Sequence, residues 1–502
     1  MSRSVPVIAV SLPATNAADA VAQVALAAQA HADLAEIRFD LWASSTPDQI
    51  DRLFPSPLPL IATLRSTAEG GAGPDDRSTR AARLEGLSRY PFRWIDLEWA
   101  RDRPLLDSLP PPSKLGRIVS THFPDGVTKE QWARALREPV PDGCVRKVVA
   151  RSEIAPFLTE LLPLIPAAGI ESAIALTTGA SGPLSRAWAG RLGIPIVFAG
   201  LPEAGSIPVP PPVEPSQLPV DRLRPFLLAV DSPPLFGLVG HPVHHSRSPS
   251  LHARWMRALG RSGLYLPLDF PTEREFVDSL AFLSARGFRG LNVTHPWKAA
   301  AFQSATESSA GAEACGVANS LTFRGDAIEA ENTDLVAILR RLEELERLGV
   351  WKGTSLVVLG SGGSARATLA AARTLGVRPV IYARRGSAAS ELAREFGGEA
   401  PDSPRPDPGA LIVHATSVGR AGSEELDLPL DRLIARDSYL LDWVYAPDLP
   451  VIADAARRAG AAYEDGRRLL VYQAAASFAL WWGEELPPEI IGETLREEGC
   501  AG

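Results

Sequence analysis

The 502-residue chain holds only three cysteines and two methionines. Cys144, Cys315 and Cys500 stand too far apart for a Cys-x-x-Cys pair, and three thiols make no disulfide framework. Such sparse use fits a reducing compartment. Long hydrophobic runs are missing too. No stretch of about 18 apolar residues occurs, and the opening "MSRSVPVIAVSLPATNAADA" breaks its short apolar run at a proline, which reads as a first strand. Charge of one sign is not concentrated anywhere: 51 Lys and Arg against 59 Asp and Glu leave a net −8 without long like-charge runs. That excludes a basic footprint for nucleic acid or a membrane surface. The expectation is a soluble cytoplasmic protein whose partners are small molecules, with no nucleic-acid or membrane partner. Nothing in the sequence reports its oligomeric state.

What is present is a globular composition, 45% hydrophobic and 22% charged, on a chain long enough for two to four units at roughly 150 residues per domain. From residue 5 to about 200, short apolar runs alternate with helical patterns: "VPVIAVSL", "DLAEIRFDL", "LPLIATLRS", "RWIDLEW", "GRIVSTHF", "RKVVARS", "ESAIALTTG" and "IPIVFAG". Eight such runs imply a closed (β/α)8 barrel within an α/β fold. Polar residues gather at their ends, where a barrel builds its site: Glu36, Arg38, Arg65, Glu98, His122, Lys147 and Thr178. The segment "PEAGSIPVPPPVEPSQLP" (202–219) carries seven prolines and resembles a linker. The segment "VDRLRPFLLAV" after it still reads as a helix, which an eight-fold barrel needs, so the boundary is expected near Asp231.

A second α/β pattern starts at "LFGLVG". At 355–375, "SLVVLGSGGSARATLAAARTL" runs from a strand through glycines into an alanine-rich helix, the context that makes a dinucleotide fingerprint credible. Gly360, Gly362 and Gly363 would let the backbone approach a pyrophosphate at the helix N-terminus, with Ser361, Ser364 and Ala365 in the same turn. The next strand, "RPVIYARRGS", ends on Arg384 and Arg385, where an NAD site expects an acidic residue. Paired guanidinium groups suit a 2′-phosphate, so NADP is the expected cofactor.

Seven motifs then follow in order: "HHSRSP", "LNVTHPWK", "ENTD", the glycine turn, "HATSVG", "DWVYAP" and "DGRRLLVYQAAASF". This set resembles shikimate dehydrogenases over residues 235–495. The resemblance implies that Lys298 and Asp334 form the catalytic pair beside the reacting oxygen, and that Ser246 and Ser248 bind the substrate carboxylate. It places Asn292, Thr294, Asn319 and Gln473 on the ring hydroxyls, Tyr445 near the carboxylate, and Thr416 and Gly466 with the cofactor residues. Hydride delivery to a ketone leaves an alkoxide that needs a cation and a proton donor, and a lysine beside a carboxylate can supply both. His414 stands where the family has Asn.

The first half resembles type I 3-dehydroquinate dehydratases over about residues 5–228, through "EIRFD", "TLRSTAEGG", "STHF", "RKVVA", "SGPLSR" and "PSQ". The resemblance implies that Lys147 forms an imine with the substrate ketone, that His122 moves the protons and Glu69 positions it, and that Arg186 pairs with the carboxylate. Glu36, Arg38, Arg65 and Gln217 would bind hydroxyls or order the site. Only an uncharged amine forms an imine; alternation in "CVRKVVA" turns Val145, Lys147 and Val149 to one face, and burial there with arginine neighbours is expected to favour that form. Phe123 and Val213 depart from the family pattern, leaving the imidazole's partner to come from elsewhere.

The two reactions are consecutive, so a bifunctional enzyme is expected: 3-dehydroquinate to 3-dehydroshikimate in a barrel at 1–230, then reduction to shikimate. The reductase would comprise a substrate domain at 235–335, completed by C-terminal helices at about 466–495, and a Rossmann NADP-binding domain at 336–465. The alternatives are a catabolic quinate or shikimate dehydrogenase using NAD, and a metabolite sensor with one or both sites inactive.

"HPVHHSRSPSLH" (241–252) holds four of the eight histidines. They lack a second cluster of Cys, Asp or Glu at ligand spacing, so no metal is expected. Ser246 and Ser248, two residues apart on an extended segment, would turn both hydroxyls to one side, with His245 beside them.

Overall fold

The computed structural model describes residues 5–167, 173–203, 209–229, 232–243, 246–405, 409–416, 418, 430–445 and 451–500. His245 lies outside them. The chain divides into two compact units, 1–235 with 260–270, and 236–259 with 271–502.

In the first, the eight apolar runs become eight strands: β1 (Val7–Leu12), β2 (Leu34–Arg38), β3 (Leu60–Thr63), β4 (Trp94–Glu98), β5 (Gly116–Phe123), β6 (Cys144–Arg151), β7 (Ile174–Thr178) and β8 (Ile196–Ala199). They form one parallel sheet in the order β7-β6-β5-β4-β3-β2-β1-β8. The ends of that order, β7 and β8, also touch, so the sheet curls into a barrel. Its β-branched and small apolar residues are almost wholly buried, as strands covered on both faces require. "VDRLRPFLLAV" is the helix Val220–Leu228, closing the eighth repeat beyond the proline-rich segment.

The remaining strands are β9 (Leu235–Gly240), β10 (Leu264–Asp269), β11 (Phe288–Val293), β12 (Glu307–Ser308), β13 (Ser320–Arg324), β14 (Ala327–Glu331), β15 (Leu356–Leu359), β16 (Val380–Tyr382), β17 (Leu411–His414), β18 (Tyr439–Asp442) and β19 (Ala462–Glu464). Two sheets result: a six-stranded one, β10-β9-β11-β13-β14-β12, and a five-stranded one, β16-β15-β17-β18-β19. The six-stranded sheet mixes directions, β13 running antiparallel to β11 and β14. The five-stranded sheet is parallel throughout. β15 pairs with β16 on one side and β17 on the other, so the strand order reverses at its carboxyl end. The glycine turn lies there, at the topological switch point where such sheets bind ligands.

Candidate active sites

Inside the barrel, side chains from successive strands converge near the carboxyl ends. Lys147 on β6 is buried, and its Nζ donates to Asp96 Oδ2 at 3.0 Å and stands 3.8 Å from Glu36 Oε1. Its ion-pair partners are carboxylates, and the arginine neighbour expected from the sequence, Arg65, holds the other oxygen of Asp96. The Phe198 ring lies 3.9 Å from Nζ. Asp96 was not foreseen. It also accepts from Arg65 at 2.8 Å and Ser120 at 2.6 Å. Burial alone would raise its pKa, but Arg65 and Lys147 hold it well below the usual carboxylate range. The signal was present in "WIDLEW": Asp96 and Glu98 are two residues apart on one strand and share a face.

Arg65 is the hub. Its guanidinium reaches Glu69, Asp96, Glu98 and Ser120 within 3.3 Å. Glu98 is in turn bound by the backbone N–H and hydroxyl of Ser66. Arg38 is clasped bidentately by Asp40, so it orders the loop after β2. Gln217 donates to Ser11 Oγ at 3.0 Å, and Ser11 donates to Glu36 at 2.5 Å, tying the loop before the helix Val220–Leu228 to the carboxyl ends of β1 and β2.

His122 finds its partner in Glu69, not in the residues after it. Glu69 Oε2 accepts from the backbone N–H of His122 at 3.1 Å and lies 2.9 Å from Nδ1. Burial, with Arg65 and Lys147 nearby, pushes the imidazole pKa well down. The neutral ring with its proton on Nδ1, facing Glu69, keeps a lone pair on Nε2. Burial, reinforced by Glu98 and Asp96, pushes the Glu69 carboxyl up to about 7 against the pull of Arg65. Arg186 is buried, donating from Nε to Phe198 O and from Nη1 to Thr177 O and Gly182 O.

The second constellation is built around Lys298, which starts the helix Lys298–Gln303, and Asp334, in the first turn of the helix Thr333–Arg347. Lys298 Nζ donates to Asp334 Oδ2 and lies 3.4 Å from Ser364 Oγ. Asn319 fixes the carboxylate: its Nδ2 donates to Asp334 Oδ1 at 2.8 Å and its Oδ1 accepts from Thr333 N at 2.6 Å. Asn292 donates to Ser477 Oγ at 2.7 Å. Gln473 turns its amide N–H to Leu470 O, and Thr294 and Tyr445 stand half-buried. Ser246 and Ser248 do come together, with hydroxyls 3.3 Å apart, but not on an extended segment. Ser248 opens the helix Ser248–Ala258, and Arg247 before it is helical in φ and ψ, so the convergence comes from a helix start.

The glycine turn divides its labour. Gly360 has φ +126°, and a Cβ there would meet Ala415 O at 2.6 Å. Gly362 caps the helix Gly363–Thr374, faces open space and, having no side chain, brings no acceptor of its own to the first-turn N–H groups. Gly363 makes room for the stem of Lys298: a Cβ would lie 2.7 Å from Lys298 Cδ. Ala365 is wholly buried and Ser361 half-buried beside them. Arg384 and Arg385, both exposed, follow β16 on the neighbouring edge. The open helix N-terminus flanked by these guanidinium groups fits a phosphate-bearing dinucleotide.

His414, fully buried at the end of β17, bridges Asp442 (2.7 Å from Nδ1) and Thr416 (2.6 Å from Nε2). Thr416 Oγ1 accepts in turn from Val418 N, so the ring links Asp442 to Thr416 through both of its nitrogens. Gly466 lets the helix Arg467–Trp482 start against Trp443, whose carbonyl oxygen a Cβ would meet at 2.4 Å. Among the described residues no group of His, Cys, Asp and Glu is arranged to hold a metal ion, and no helix is long and apolar enough to cross a membrane.

Residues 8–231 match the family model of type I 3-dehydroquinase, and residues 238–321 match that of the shikimate dehydrogenase substrate binding domain. The NADP(+) shikimate dehydrogenase of Dinoroseobacter shibae is 34% identical over 274 residues, 53% of this chain and 98% of that protein. The chain belongs to the shikimate dehydrogenase family. A second dehydrogenase of that name, from Acidiphilium cryptum, is 38% identical over 255 residues, 50% of this chain and 90% of its own. The solved structure of dehydroquinate dehydratase and shikimate dehydrogenase from S. pombe AroM is similar over 98% of both chains, at 21% identity and a TM-score of 0.43. The dehydrogenase family thus accounts for the second half of the chain, and the type I dehydroquinase match for the first.

Proposed function

We propose that this chain is a bifunctional enzyme of the shikimate pathway, a 3-dehydroquinate dehydratase (a lyase) joined to an NADP-dependent shikimate dehydrogenase. The observation that carries the reading is that each half holds its own lysine–carboxylate pair, Lys147 with Asp96 and Lys298 with Asp334, in matching family contexts. The barrel, 1–230, dehydrates; 235–335 with the helices at 466–495 binds the substrate of reduction; 336–465 binds the cofactor.

In the barrel the uncharged Lys147 amine attacks the ketone carbon, the carbinolamine loses the ketone oxygen as water to leave an iminium, and Asp96, held ionised by Arg65 and Lys147, balances the iminium charge. The iminium draws electrons from the neighbouring carbon, so His122 Nε2 can remove the C2 proton and return a proton to the hydroxyl leaving C1. Glu69 holds the ring in the required tautomer. Arg186 pairs with the substrate carboxylate, while Glu36, Arg38, Arg65 and Gln217 order the hydroxyl side.

In the second site Ser246 and Ser248 accept the substrate carboxylate and Tyr445 lies near it; Asn292, Thr294, Asn319 and Gln473 serve the ring hydroxyls. Lys298 Nζ donates its proton to the oxygen on which the alkoxide would form, and Asp334 keeps the amine aimed. Bound NADPH supplies the hydride. Gly360, Ser361, Gly362, Gly363, Ser364 and Ala365 would form its phosphate turn, Arg384 and Arg385 would hold its 2′-phosphate, and Thr416 and Gly466 would border it. These arginines favour NADP over the NAD of a catabolic dehydrogenase.

Borohydride added with 3-dehydroquinate should reduce the imine and leave a covalent adduct on Lys147, read by peptide mass. No adduct on Lys147, with the dehydrogenase active in the same sample, would remove the dehydratase.

A further inference from the structure

Arg186 is buried and three of its donors are spent on main-chain carbonyls, which carry no formal charge. Its remaining nitrogen, Nη2, faces a carboxylate that the chain itself supplies: Glu214, from the proline-rich segment 209–219, with Oε2 at 3.8 Å. That carboxylate is held in place. The same oxygen accepts from Ser216 N at 3.0 Å and from the Ser216 hydroxyl. Ser216 sits over Gly182, where a Cβ would meet its Oγ at 2.0 Å, so the segment is seated on the helix Gly182–Ala187 that carries Arg186. The next residue, Gln217, reaches Ser11 inside the barrel. The Glu214 side chain is 28% exposed, against 3% for Arg186, so it can turn out to solvent while the guanidinium cannot.

A buried guanidinium aimed at a carboxylate position is a built site for one anion. We infer that Glu214 is a tethered stand-in for the substrate carboxylate: it occupies the acid subsite at Arg186 in the unliganded barrel, and an incoming carboxylate-bearing substrate must displace it. Glu214 thereby sets the affinity of the dehydratase site for anionic ligands. The tethered group neutralises Arg186 while the site waits, and its own charge opposes any second carboxylate until the side chain swings away. This rests on the reading of Arg186 as the substrate's carboxylate anchor.

The test is steady-state dehydration of 3-dehydroquinate by the full chain, with acetate as a competing carboxylate probe. Glu214→Gln keeps the shape and removes the charge, and the residue stands at a partly exposed position that folding tolerates. The expected result is a KM lower by roughly two- to five-fold, the worth of a partly screened ion pair, with acetate inhibiting the variant more strongly than the parent by a similar factor. A KM that is unchanged or raised would overturn the inference, since a carboxylate that merely clasps the segment would weaken binding when neutralised. Arg186→Gln separates the underlying reading: a KM for 3-dehydroquinate that does not rise in that variant sinks the anchor itself, whatever Glu214→Gln does. In the double variant the gain from Glu214→Gln should vanish.

Discussion

At Glu69 one carboxylate oxygen meets both the backbone N–H and Nδ1 of His122, and its pKa near 7 places its ionisation inside the working pH range. When Glu69 takes up a proton, its hold on the Nδ1–H tautomer weakens and Nε2 is no longer reserved as the base. The dehydratase kcat/KM should therefore fall below about pH 7 along a single acidic limb, because the imidazole itself is held neutral far below that pH. Glu69→Gln should lose that limb and lower the rate by about 100-fold or more; a limb that persists in the variant would assign it elsewhere. The stability linkage has the opposite sense. A carboxyl with a raised folded pKa contributes stability that is present below its unfolded pKa and lost as pH rises through about 7, so Glu69→Gln should flatten the decline in Tm between about pH 5 and pH 8. At this scale the sequence pointed to Lys147, His122, Lys298 and Asp334, since each stands in a local motif, and the fold sets His122 against Glu69 and Lys298 against Asp334. It did not reveal Asp96 as the partner of Lys147, 51 residues away, or His414 as a bridge between Asp442 and Thr416. Such pairings are created by strand order, which no local spacing encodes.

Among the elements, the turn from β15 into the helix Gly363–Thr374 brings substrate chemistry and cofactor site together. Two adjacent glycines do different things there: Gly362 faces open space and Gly363 faces the stem of Lys298. Gly363→Ala should push the lysine stem and misplace the amine, lowering kcat for 3-dehydroshikimate reduction by about 100-fold with little change in NADPH affinity. Gly362→Ala should raise the KM for NADPH. Equal effects of both variants on both parameters would contradict this division. The strand–glycine–helix element was legible from composition and periodicity alone, because a tight strand-to-helix turn at a switch point demands it. The extended reading of Ser246 and Ser248 was not right: Pro249 at the start of a helix fixes a helical φ, and the hydroxyls converge around the first turn instead.

At the scale of the whole molecule, eight apolar runs became one eight-stranded parallel barrel and the later runs became two further sheets. The barrel was readable because strands buried on both faces must be continuously apolar, whatever the loops do. Residues 209–219 of the proline-rich segment, which composition alone would read as a linker, instead pack on the barrel, placing Glu214 near Arg186 and Gln217 on Ser11. Both lysine sites on one chain make the two reactions separable by mutation: Lys147→Ala should abolish dehydration and leave reduction, and Lys298→Ala the reverse. The most direct measurement combines them. Purified chain is given 3-dehydroquinate and NADPH with no other enzyme, and nicotinamide absorbance is followed. NADPH should be consumed, and Lys147→Ala should stop the loss while still reducing supplied 3-dehydroshikimate. No oxidation of NADPH from 3-dehydroquinate, in a sample that does reduce 3-dehydroshikimate, would contradict the bifunctional enzyme.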